Sequence, residues 1–94
     1  MASRELECFI DETIRVAQTH AYHPTIFIDM RARYGTIPAI SRLVESGDVQ
    51  SGFRRLERLD LLEHTIEAAV AKFPWEFSAV TLECAEFRLR MVKQ

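Results

Sequence analysis

Residues 76–93, EFSAVTLECAEFRLRMVK, decide the fold class of this chain. Phe77, Val80, Cys84, Phe87 and Met91 follow one another at steps of three and four, which on a helix makes one continuous seam of the kind that packs against a neighbour. Leu82, Ala85, Leu89 and Val92 make a second apolar strip, leaving Glu76, Glu83, Glu86 and Arg90 as a narrow charged face. A helix apolar on two sides is either the central helix of its own domain or packs on its core with one side and on a partner with the other. The central reading is favoured. Under the second, Trp75, Leu82 and Leu89 are the candidate interface residues.

The chain before this segment also reads as helices. Leu6, Phe9, Ile10, Thr13, Ile14, Val16, Ala17 and Ala21 share one side of a wheel, which predicts an amphipathic helix from Ser3, its cap, to His20, broken before Pro24. Cys8 falls on its solvent side and His20 on its core side. Over 25–34 Thr-Ile-Phe-Ile could start a strand, but Phe27, Met30 and Tyr34 lie at helical spacing and Gly35 suits the end of a helix, so a short helix is expected. Thr36 is the expected cap of a third, buried through Ile37, Ile40, Leu43 and Val44 and ended by Gly47. Asp48 then caps a segment with Val49, Phe53, Leu56 and Leu59 inward. Asp60 and Glu63 have the form of a capping box for a fifth helix, with Leu62, Ile66, Ala69, Val70 and Phe73 buried and Pro74 as its stop. The expected architecture is all-α, a compact bundle of five or six short helices forming one domain over 1–94.

Composition narrows the function classes. A chain of 94 residues, 48% hydrophobic and 28% charged, can bury a core without metal or disulfide staples and is too apolar to stay disordered. No apolar run approaches the roughly 20 residues that span a bilayer. The first residues, Met-Ala-Ser-Arg-Glu-Leu-Glu, are acidic where a signal peptide is basic and then apolar, so a cytoplasmic protein without a membrane partner is expected. Cys8 and Cys84 lack framework spacing and are expected as reduced thiols. The net charge of −2 gives no global attraction to nucleic acid, but ten of the twelve basic residues are Arg, which suits local recognition of carboxylate or phosphate.

Catalytic chemistry finds no foothold in the spacing. His20 and His23 are three apart, but Pro24 follows directly and no Cys-x-x-Cys or His-Glu-x-x-His fixes a metal geometry. Ser51, Cys84 and Cys8 have no base at a defined spacing, the carboxylates are explained by caps and solvated faces, and no glycine-rich phosphate loop exists. His64 is expected on the solvent side of its helix. No catalytic residue, metal or cofactor is assigned, and the chain is read as non-enzymatic.

Binding is the better-supported class. Two short helices joined by Ser46-Gly47-Asp48 meet the requirement of a helix-turn-helix, whose second helix would present Gln50, Ser51, Arg54 and Arg55 near its start, with Arg58 one turn on and Arg42 preceding them. Arg54, Arg55 and Arg58 share about 100° of the wheel. Glu45, Asp48 and Glu57 interrupt this strip, and Arg serves protein interfaces as well as phosphate. Trp75 is expected to staple the last helix to the fifth, or, if exposed, to anchor an interface.

From Tyr22 onward the chain resembles an all-helical module of bacterial proteins, some of which carry it beside nuclease or restriction-type domains. The resemblance is carried by Tyr22-His23-Pro24-Thr25, Phe27, Met30, Tyr34-Gly35, Ser51-Gly52-Phe53, Leu56, Arg58-Leu59-Asp60-Leu61, Glu67-Ala68 and Phe73-Pro74. Glu57 and His64 depart from the pattern, and residues 1–21, the N-terminal helix, lie outside it. It implies a bacterial DNA-defence, counter-defence or mobile-element (phage) setting and assigns no activity. The function expected is that of a small adaptor or inhibitor that binds another protein, a second copy included, with a helix-turn-helix DNA-binding protein as the alternative.

Overall fold

A computed structural model describes residues 2–46 and 51–93. Six α-helices are present among them: α1 (Arg4–Thr19), α2 (Thr25–Tyr34), α3 (Thr36–Glu45), α4 (Ser51–Arg58), α5 (Ile66–Lys72) and α6 (Ala79–Lys93). Short 3₁₀ turns at Leu62–His64 and Pro74–Glu76 precede α5 and α6. The all-α bundle read from the sequence is the fold observed, with a radius of gyration of 12.0 Å, close to the value of a fully compact chain of this length.

α1 starts as its sequence predicts. The Ser3 hydroxyl accepts a bond from the Leu6 amide at 3.1 Å and donates to Glu76 at 2.5 Å, while the Ser3 amide donates to the other Glu76 oxygen at 2.8 Å. One carboxylate thus ties the first helix to the turn before the last. Leu6, Ile10, Thr13 and Ala17 are the buried stripe. His20 turns outward instead of toward the core, its Nδ1 lying 3.0 Å from the Val16 carbonyl oxygen. At the helix end the wheel loses its authority because the backbone turns into a left-handed residue, Ala21, at φ 62°.

That ending recurs. After α1, the amides of Ala21 and Tyr22 donate back to the carbonyls of Gln18 and Ala17; after α4, those of Asp60 and Leu61 donate to Glu57 and Leu56. Both are Schellman closures in which a non-glycine residue occupies the left-handed position, Asp60 at φ 60°. Asp60 therefore terminates α4 and does not open α5, which corrects the predicted capping box. Thr65 is the actual cap: its hydroxyl accepts from the Ala68 amide at 3.0 Å and donates to the Leu62 carbonyl at 2.8 Å.

α2 and α3 meet at Gly35, whose φ of 92° lets one residue close one helix and open the next. Thr36 is consequently the first residue of α3 and not its cap. Its hydroxyl is spent on a polar cluster, donating to Glu7 at 2.5 Å and accepting from Arg31 Nε at 2.9 Å, while Arg31 also meets Glu7 at 2.7 Å and Asp11 at 2.8 Å. The Thr36 hydroxyl, then the Arg31 guanidinium, hold the Glu7 carboxyl below its ordinary range against the opposing effect of burial.

The core gathers Leu6 and Ile10 of α1, Phe27 of α2, Ala39, Ile40 and Val44 of α3, Ala69 and Val70 of α5, Phe73 at the end of α5, and Ala85 of α6. The short α5 sits deepest: it packs on α1, α3 and α6 and buries Glu67 as well as its apolar residues. It takes the central place that the sequence reading favoured for α6.

Candidate protein-docking face

α6 presents its two faces in the reverse of the predicted sense. Thr81 and Ala85 are fully buried and Arg88 is 4% exposed, whereas Val80 and Phe87 are each 57% exposed and Met91 43%. Cys84, half-buried, lies at the edge of the outward stripe, and Phe77 is half-buried beside the core. Of the other candidate interface residues, Leu82 is half-buried and packs against the core, and Leu89 is half-buried. Val80, Phe87 and Met91 of the seam read as the packed side are exposed, while Phe77 and Cys84 of the same seam pack against the core. On the turn leading into α6, Trp75 is 74% exposed, touching Phe73 edge-on with ring centroids 5.7 Å apart.

The orientation follows from Arg88. Its guanidinium donates to Glu67 at 2.9 Å, to the Leu43 carbonyl at 3.1 Å and to the Ser46 carbonyl at 2.8 Å. It thereby neutralises a carboxylate that is itself 1% exposed and donates to two carbonyls at the end of α3. Burial pushes the Glu67 carboxyl above its ordinary range, and the Arg88 guanidinium opposes that rise. Thr81 adds a bond from its hydroxyl to Glu45. An arginine and a threonine thus face inward because acceptors wait there, and Ala85 between them leaves room for α5. Hydrophobic periodicity gives Arg88 no place in either apolar strip or on the charged face; the signal that could have found its inward role is Glu67, a carboxylate on the otherwise apolar side of α5.

Outward, the stripe is flanked by exposed Glu83, Glu86 and Arg90. Beside it runs an open groove of about 520 Å³, bordered by Val44, Ser46, Cys84, Phe87 and Met91. Trp75, Val80, Phe87 and Met91, the last three on one line of a helix, are the kind of side chains a protein interface uses for its apolar centre.

The arginine strip lies on another part of the surface. Arg54, Arg55 and Arg58 are all exposed on α4, and none of them meets a carboxylate among the described residues. Arg55 lies 5.9 Å from the Tyr22 ring, and Arg42, also exposed, is 4.2 Å from that of Tyr34. Burial raises the Tyr22 hydroxyl above its usual range, with Arg55 opposing. Gln50 lies outside the described residues, as do Gly47, Asp48 and Val49; Ser51 opens α4, and its side chain is not among those described. α4 packs chiefly on the 62–64 turn, through a face that buries Phe53 and Leu56, while α3 packs on α2, α5 and α6.

A cavity of about 220 Å³ lies between α1, the start of α2, α4 and the 64–67 segment, with Ile14, Tyr22, Phe27, Phe53 and Ile66 in its wall. Thr13 Oγ1 and His64 Nδ1, in residues that line it, are buried with no hydrogen-bond partner among the described residues. His64 is therefore half-buried and not on a solvent face as predicted. Cys8 is exposed, and both cysteines are free thiols. Among the described residues no three His, Cys, Asp or Glu side chains gather as a metal site, and no helix is long and apolar enough to cross a membrane.

No protein-family model, no curated protein and no solved structure matches this chain.

Proposed function

We propose that this chain is a small non-catalytic cytoplasmic module that binds another protein through the outward face of α6, in the DNA-defence, counter-defence or mobile-element setting implied by the resemblance. The observation that carries the reading is the exposure of Val80, Phe87 and Met91 along one line of a helix whose other side is fully committed to the core. Apolar side chains scattered singly on a surface need no explanation; a row of them on a rigid element does. Trp75 adds a large aromatic surface on the preceding turn, and Trp is among the side chains that contribute most at interfaces. The test replaces Phe87 by the photo-crosslinking analogue p-benzoylphenylalanine and irradiates the cells that make the protein. A covalent product that vanishes with Val80→Asp or Met91→Asp is expected; no product at all sinks the reading.

The free guanidinium groups of Arg54, Arg55 and Arg58 favour a second reading, DNA binding through α4. A duplex titration at low and raised salt tests it, since phosphate contacts weaken steeply with salt. Salt-sensitive binding lost in Arg54→Glu with Arg58→Glu supports DNA as the ligand, and unchanged affinity in that variant removes it.

A further inference from the structure

We infer that the partner seated on α6 is a second copy of this chain, with the two α6 helices antiparallel. The inference rests on the proposed docking face and goes further by assigning its occupant. Val80, Cys84, Phe87 and Met91 are spaced four, three and four apart, the alternation of the apolar seam between two packed helices. Such a seam has two flanks. One carries Thr81 and Arg88, both buried in the chain's own core; the other carries Glu83 and Arg90, both exposed and seven residues apart, hence on the same line.

This asymmetry selects the arrangement. In a parallel pair each flank meets the opposite flank of the partner, so Glu83 and Arg90 would face Thr81 and Arg88, which are turned inward. In an antiparallel pair each flank meets its own kind in reversed order, so Glu83 of one copy lies opposite Arg90 of the other, twice by symmetry. The surface is therefore complementary to itself in charge, as a two-fold interface must be. Phe87 falls near the axis, against its own counterpart. Three large apolar side chains make an interface below standard size, so the dissociation constant is expected on the order of 10 to 100 µM.

Sedimentation equilibrium across that range tests the inference. The wild-type chain should pass from monomer to dimer, and Phe87→Asp should remain monomeric with an unchanged circular dichroism spectrum. Glu83→Arg and Arg90→Glu should each weaken association about five- to tenfold, because each creates two like-charge contacts. The double variant should return to within about twofold of wild type. A wild-type chain that stays monomeric well above the expected range overturns the inference, as does a double variant as weak as either single one. The crosslinked product from position 87 separates the two levels of the argument. A product of twice the chain's mass supports the second copy, and one joined to a different protein overturns self-pairing while leaving the docking face standing.

Discussion

On α6, Thr81, Ala85 and Arg88 are buried while Val80 and Phe87, each one residue from a buried neighbour, are more than half exposed. The inward face carries a guanidinium, a hydroxyl and a methyl; the outward face carries the larger hydrocarbon side chains. Burial on this helix is decided by what waits opposite. Inward lie the Glu67 carboxylate and the Leu43 and Ser46 carbonyls, groups whose isolation from water costs several kcal/mol unless a donor reaches them. Turning Phe87 inward at the expense of Arg88 would gain about 2 kcal/mol of apolar burial and forfeit more than that in unpaired polar groups.

The sharpest way to break this contrast is Arg88→Met, which keeps the length of the side chain and removes its donors. It should cost about 3–5 kcal/mol in urea unfolding at neutral pH, because Glu67 is left charged and alone. The deficit should shrink on acidification. A carboxyl whose folded pKa is raised contributes its full stability below the ordinary value of 4.5 and loses it as the pH rises through the folded pKa, and removing Arg88 raises that folded pKa further. A deficit equal at pH 4.5 and 7 would mean that Glu67 is not the group in distress.

A smaller effect is expected of Ala85→Leu, which enlarges the inward face where α5 approaches. Overpacking there should cost about 1–3 kcal/mol, measured by the same unfolding. Smallest of all, Phe87→Ser removes the largest side chain of the outward face and should change monomer stability by no more than about 0.5 kcal/mol, when measured well below the dimerisation range. A larger loss would place Phe87 in the core and dissolve the comparison.

The helices themselves were readable from local chemistry. Ser3 with its hydroxyl cap, Pro24, Gly35 at positive φ and Pro74 mark boundaries where one residue's backbone preference decides, and the structure places breaks at each. Leu6, Ile10, Thr13 and Ala17 were legible as a buried stripe because nothing on that side of α1 competes with hydrophobic burial. Where side chains serve each other across the fold, the pattern misleads. Asp60 looks like a cap but closes the helix before it; Thr36 looks like a cap but bonds Glu7; Arg88 belongs to no strip or face read from the sequence and is held by Glu67, 21 residues away. The candidate site inherited this weakness. Trp75 was singled out and is exposed, yet Leu82 and Leu89 were paired with it, when Val80, Phe87 and Met91 on the neighbouring strip are the ones that face outward.

The reach of Arg88 also orders events during synthesis. The acceptors at residues 43, 46 and 67 are all made before it, so a nascent chain that stops short of Arg88 holds the Glu67 carboxylate without this guanidinium. Domains fold as units once the residues that complete them have left the ribosome. Until Arg88 is made, its guanidinium cannot join the end of α3 to the centre of α5.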